Sequence, residues 1–320
     1  MSKRTNSRNN SQFWGCDDYP NCRGTKNIGE RPPTTNQRPR GRPAWLDAVE
    51  ANPPVPKCFD QLPSALSPSR ATDFMQCPRK FYEKTITKRV IFQGSEASVK
   101  GKLVHHALEK IFDRVSTQRT PAKAVAYIRP YWEEIKTESE NKAVSDLPGV
   151  SIRNMLEDAE ELVRKWYQIE DPKAFDPWMR EHWVEAKLKT TPMRGIIDRL
   201  DYLGDTKQGV PRVRIVDYKT GKPPKERYLD ESLFPIYTYA AALEASTEVK
   251  VEVVQLLYIR HGRDATITRE INQRTNQRSA KAFDDVWKEI VRASKAGRFP
   301  CKPGPLCDWC DAKAFCPGWA

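Results

Sequence analysis

From Ser67 onward the apolar positions of this 320-residue chain recur at spacings that predict regular elements, whereas residues 1–57 show no such rhythm. Ser67 suits a helix N-cap with Pro68 at the first helical position, and Phe74, Cys77, Phe81 and Tyr82 follow at helical spacing. A second helix is predicted over 99–117, with Leu103, Ala107, Leu108, Ile111, Phe112 and Val115 as its buried stripe. Two more are predicted over 121–140 and 152–169. Strands are predicted near 181–190, 193–203 and 211–219, after which Pro223 and Pro224 break the pattern. A helix over 231–246, strands near 250–260 and 264–271 and a last helix over 278–297 complete the series. That order predicts a mixed α/β (α+β) chain in which a central mixed sheet is flanked by helices.

Two of the predicted strands end in charge. One is Arg194-Gly195-Ile196-Ile197-Asp198-Arg199-Leu200-Asp201; the other is Ile215-Val216-Asp217-Tyr218-Lys219. A carboxylate at the end of an apolar strand is costly to bury unless something pairs with it, and a divalent cation pairs well with two. Lys219 falls on the same side of its strand as Asp217, because side chains alternate with period two. Two carboxylates and an ammonium on one spot suit phosphodiester hydrolysis: the carboxylates hold Mg²⁺ or Mn²⁺ and the lysine steadies developing charge. The blander alternative makes Asp198 and Asp201 strand-end turn residues, with Asp217 and Lys219 an ordinary exposed pair. His105, near the inner side of the second helix, reads alone as a core histidine. Glycines 94 and 101 with Lys102 do not make a phosphate loop, since six residues separate them and Leu103 replaces the required Ser or Thr.

Formal net charge is +12, but residues 1–42 hold nine Lys or Arg against three acids, so half the excess sits in the leader and the body is only mildly basic. No apolar run is long enough to span a membrane, and the N-terminus has no signal-like stretch, so the expected location is cytoplasmic. The eight cysteines are then metal ligands or buried thiols rather than disulfides. Residues 1–57 are expected to be a mostly disordered basic leader, and 58–320 the folded domain. Within the leader, Phe13 to Thr25 resembles the second half of a topoisomerase zinc ribbon. Cys16 and Cys22 alone do not close a tetrahedral Zn²⁺ site, so the element is a remnant, borrows ligands or starts upstream, or it is a basic-aromatic nucleic-acid contact. In the tail, Cys307, Cys310 and Cys316 have metal-type spacing and need a fourth ligand, for which Cys77, Cys301 and Cys58 are candidates.

From about Ser67 to Pro317 these motifs resemble the RecB-like nucleases of the PD-(D/E)XK superfamily, in the iron-sulfur branch that includes the AddB nuclease domain and small CRISPR-associated exonucleases. Ser67-Pro68-Ser69, Phe74 and Cys77-Pro78-Arg79-Lys80-Phe81 look like the N-terminal cluster motif. The resemblance therefore makes Cys77 the fourth ligand of a [4Fe-4S] cluster with Cys307, Cys310 and Cys316, a structural staple joining the two ends of the domain, with Cys301 a bystander or minor competitor. It also makes His105, Asp198 and Asp217 the ligands of Mg²⁺ or Mn²⁺, Lys219 the catalytic lysine, and Tyr237 a residue near the scissile strand. Glu185 is a possible extra carboxylate. The usual Gln-x3-Tyr pattern is broken, because Leu233 holds the Gln position and cannot hydrogen-bond substrate or lysine.

The implied activity is a metal-dependent exonuclease on single-stranded or end-exposed DNA, in phage or bacterial recombination or repair. The resemblance is also compatible with CRISPR spacer acquisition. No Walker motif is present, so any helicase or recombinase is expected to be a separate partner. Two alternatives remain: a non-catalytic DNA-binding recombination module with the same fold, and a zinc site in place of the iron-sulfur cluster.

Overall fold

The computed structural model describes residues 2–5, 12–15, 25–27, 52–90, 93–304 and 306–319. Where composition predicts an unstructured leader, three short strands pair antiparallel: β1 (Ser2–Thr5), β2 (Gln12–Gly15) and β3 (Thr25–Asn27). Cys16 and Cys22 lie outside the described residues. The folded domain also starts earlier than residue 58, because Val55 N donates to Gly297 O at 2.8 Å and Cys301 N to Asn52 Oδ1 at 3.3 Å.

Ser67 caps α1 (Pro68–Gln76), its side chain accepting from Arg70 N. The predicted helical stripe does not continue through Cys77. Pro78 disfavours helical backbone at the residue before it, so Cys77 is extended (φ −159°) and a new short helix, α2 (Pro78–Phe81), starts after it. Ser95 and Ser98 form a capping box that starts α3 (Glu96–Lys110), earlier than the pattern suggested. The helix predicted over 121–140 is broken into α4 (Pro121–Val125) and α5 (Ile128–Ile135), because Pro130 has no N–H to continue the ladder. After α6 (Lys142–Ser145) comes α7 (Gly149–Trp166).

The strands are β4 (Met179–Leu188), β5 (Thr191–Asp205), β6 (Pro211–Lys219), β7 (Lys250–Tyr258) and β8 (Ile267–Glu270), with α8 (Leu229–Ser246) between β6 and β7 and α9 (Gln273–Ala296) last. They form one five-stranded sheet in sequence order, antiparallel except for the β6–β7 pair, which α8 connects as a crossover. Strand alternation splits the core in two. Val213, Ile215, Val254 and Leu256 face a core with α1, α8 and α9; Val216, Tyr218 and Leu257 face one with α3, α4, α5 and α7. Each fully buried aliphatic such as Leu103 or Ile197 stabilises the fold by roughly 1.5–3 kcal/mol. No helix among the described residues is long and apolar enough to cross a membrane.

Asn272 caps α9, and Gly297 ends it in the left-handed region (φ 61°), where a Cβ would lie 2.2 Å from Val55 O. The β4–β5 turn is pinned to α9 by Asp284, whose fully buried carboxylate accepts from Thr190 N (3.0 Å), Thr190 Oγ1 (2.6 Å) and Thr191 Oγ1 (2.9 Å) and pairs with Lys288 (2.6 Å). Burial opposes ionisation, but these donors win and hold the carboxyl below its usual range. Its stabilising contribution is therefore present above the unfolded pKa of about 4 and lost as pH falls below it. Asp284→Ala strands three donors, and urea unfolding at pH 7 should show a loss of about 1–3 kcal/mol that shrinks as the pH is taken below about 4.

Candidate active site

Three elements meet where β5 and β6 lie side by side. The β5–β6 register sets Asp198 opposite Asp217, and Tyr218 N donates to Asp198 Oδ2 at 2.9 Å. From above, α3 brings His105: its Nδ1 is 3.4 Å from Asp198 Oδ2 and its Nε2 is 3.0 Å from Tyr218 O. With the Nε2 proton given to that carbonyl, Nδ1 is the ring nitrogen turned toward the carboxylates, the arrangement a metal-binding histidine uses. Burial alone would lower the His105 pKa, but the Asp198 carboxylate outweighs it and raises it to about 9.

The third side is a residue the sequence reading missed. The pairs Arg180–Arg199 and His182–Ile197 leave Glu181 directly across β4 from Asp198. Glu181 carries φ 42°, a backbone state that costs energy for a residue with a Cβ and that gathers at functional sites. Desolvation of its carboxyl, reinforced by the Asp198 charge, pushes it up to about 7, although the residue as a whole stays exposed. His105, Glu181 and Asp198 each offer a ligand atom, and these lie within 4.8 Å of one another. Glu185 is two ladder rungs further along β4, roughly 13 Å by strand rise, and does not join them.

Asp217 is outside that group. Its Oδ2 pairs with Lys219 Nζ at 2.5 Å. Burial raises the Asp217 pKa and Lys219 opposes the rise; burial lowers Lys219 and Asp217 more than reverses it, so the net shift of Lys219 is upward. Tyr258 lies opposite Lys219 in the β6–β7 ladder, and a second tyrosine approaches this pair from α8, but it is not Tyr237, whose charged neighbours are Arg269 and Asp230. Two residues further is about 200° around a helix, and that turn brings Tyr239 to face Asp217 and Asp198, with its pKa raised to about 12 by burial and then by those charges. Tyr239 also explains the glycine at 195: a Cβ there would lie 2.6 Å from the Tyr239 hydroxyl. Leu233 is buried in the core and offers the site no polar group.

Behind the site, Arg199 is 1% exposed and holds Glu170 (2.6 Å), Asp201 (3.0 Å) and the Tyr218 hydroxyl (2.6 Å). Since the Tyr218 backbone touches both His105 and Asp198, Arg199 positions those two ligands from below.

The predicted sulfur site lies elsewhere, where the tail returns to the α1–α2 junction. Backbone amides reach two of the four sulfurs: Lys302 N donates to Cys77 Sγ (3.4 Å) and Gly304 N to Cys307 Sγ (3.3 Å). Cys301, the expected bystander, is buried with its sulfur 3.3 Å from Cys316 Sγ. The contact with Cys316, and then burial, pushes the Cys301 thiol up, and the same contact lowers Cys316 to about 6.

The sequence profile of the PD-(D/E)XK nuclease superfamily matches residues 65–317. No curated protein matches the sequence. Among solved structures, a candidate exonuclease from Eubacterium rectale is 14% identical with a TM-score of 0.47, covering 77% of this chain and 87% of that one. The crystal structure of SSO0001 is 10% identical with a TM-score of 0.36, covering 87% and 95%. Neither likeness bears on activity; the profile match spans most of the chain and includes every element of the site. This chain belongs to the PD-(D/E)XK nuclease superfamily.

Proposed function

We propose that this protein is a RecB-like, metal-dependent DNA exonuclease that hydrolyses single-stranded or end-exposed DNA in phage or bacterial recombination or repair. One observation carries the proposal: His105, Glu181 and Asp198 converge within 4.8 Å beside the Lys219–Asp217 pair. One imidazole nitrogen with hard carboxylate oxygens suits Mg²⁺ or Mn²⁺. A divalent cation held there supplies a Lewis acid and an activated water for attack on phosphorus. Asp217, in register with Asp198, adds a carboxylate at the edge of the site and keeps Lys219 charged. The Lys219 ammonium is then placed to stabilise charge developing on the phosphoryl oxygens.

A [4Fe-4S] cluster on Cys77, Cys307, Cys310 and Cys316 completes the proposal. Amide hydrogen bonds to the Cys77 and Cys307 sulfurs support thiolate ligation there. The expected setting is the cytoplasm, with any helicase or recombinase a separate protein.

The test is degradation of single-stranded DNA labelled at its 5′ or 3′ end, in Mn²⁺ and in EDTA. Wild type should shorten the strand from an end only with metal, and Glu181→Gln should lower kcat/KM at least about 10-fold and raise the Mn²⁺ needed for half-maximal rate. A wild-type protein that binds DNA and cuts none in Mn²⁺ leaves the DNA-binding module as the correct reading.

A further inference from the structure

The open face of the β4–β5 hairpin carries an unclaimed feature. One ladder rung beyond Glu181 and Asp198, about 7 Å along the strands, Trp183 stands opposite Ile196. Both are exposed, at 52% and 45%. Their neighbours in sequence, Val184 and Ile197, point through the sheet into the opposite core, so the pair is held on a rigid floor. Tyr239 packs beneath Gly195, which pairs with Val184 in the adjoining rung. The next rungs are Glu185–Arg194 and Lys187–Pro192, which bring two basic groups to the same face. A second exposed aromatic pair, Trp178 and Tyr202, lies at the other end of these strands, but those rings cover each other with centroids 6.3 Å apart. Among the described residues, Trp183 has no ring partner.

We infer that Trp183, backed by Ile196, is a stacking platform for an unpaired DNA base next to the scissile phosphate, and that it selects single strands over duplex. The inference rests on the nuclease reading above. A paired base shows only its edge to such a surface, whereas an unpaired base can lay its face on the indole, so an apolar ring this close to the cation ligands favours unstacked strands. Arg194 and Lys187 lie beyond it, where the phosphates of the continuing strand would need cationic partners.

The full-length protein is titrated in Ca²⁺ with a fluorescent oligodeoxythymidine of about 16 nucleotides and with an abasic strand of the same length. Trp183→Ala should weaken binding of the oligodeoxythymidine by about 5- to 100-fold and binding of the abasic strand by less than about 2-fold, with Trp183→Phe retaining most of the affinity. The exposed side chain can be truncated without opening the core, and an unchanged melting temperature checks this. Equal weakening for both strands, or none for either, overturns the platform. If wild type cuts DNA and Trp183→Ala cuts and binds as wild type does, the platform alone fails. If wild type binds through Trp183 and cuts nothing, the nuclease reading alone fails.

Discussion

Lys219→Ala should lower Mn²⁺-dependent hydrolysis of single-stranded DNA by at least about 1,000-fold while strand affinity in Ca²⁺ stays within about 3-fold of wild type. The substitution removes two things at once. The ammonium that meets developing charge is gone, which alone costs about 100- to 1,000-fold for a preorganised donor. Asp217 also loses the partner 2.5 Å away that opposes the effect of burial, so its pKa, already raised, climbs further. The two losses differ in their response to pH. Raising the pH favours the ionised form of Asp217 in the variant but cannot restore the ammonium, so any recovery of rate should stop short of the wild-type level. Asp217→Asn separates them from the other side, since it keeps Lys219 and discards only the carboxylate. A Lys219→Ala protein within 10-fold of the wild-type rate would remove the lysine from the chemistry and with it the assignment of this site.

The sequence made three of the site residues visible for reasons of cost. Asp198, Asp217 and Lys219 are charges at the ends of apolar strands, so each demanded a partner, whereas His105 read alone as a core histidine and stood out only through the resemblance to RecB-like nucleases. The sheet was legible too, because runs such as Ile215-Val216 between polar breaks admit few other readings. Glu181 was not. It belongs to Met-Arg-Glu-His-Trp-Val-Glu-Ala-Lys-Leu, where Glu181 and Glu185 look alike, and only the hairpin register decides which one meets Asp198. That register follows from a two-residue turn at Lys189-Thr190, which carries no Gly or Asn to announce it; Asp284, almost a hundred residues away, holds it instead. Tyr239 was missed for a rotational reason, since moving two positions along α8 changes which face a residue occupies. Arg199 was hidden because an arginine in a strand reads as solvent-facing, and its burial depends on Glu170 arriving from the end of α7.

Cys77→Ser should strip iron from the purified protein, abolish its absorbance near about 400 nm and lower its melting temperature by about 6–12 °C. The size of that drop discriminates between two pictures of the tail. If the cluster were the tether closing the roughly 230 residues between Cys77 and Cys307, the chain-entropy model would assign it about 5 kcal/mol, or about 10–20 °C. The structure closes most of that loop by other means. Phe299 is buried against Phe81 and Tyr82, with centroids 6.5 and 5.0 Å away, and Arg79 N donates to Pro300 O. With the chain anchored at Phe299, the cluster constrains only the remaining tail, a loop of about 15 residues worth about 3 kcal/mol. Cys77→Ser should therefore leave the domain folded and make residues beyond Phe299 sensitive to protease, and Phe299→Ala in the same background should bring down the rest of the stability. A fall of 20 °C from Cys77→Ser alone would show instead that the aromatic contact forms only once the sulfurs are joined. A colourless wild-type protein containing zinc and no iron would replace the cluster with a zinc site on the same thiols.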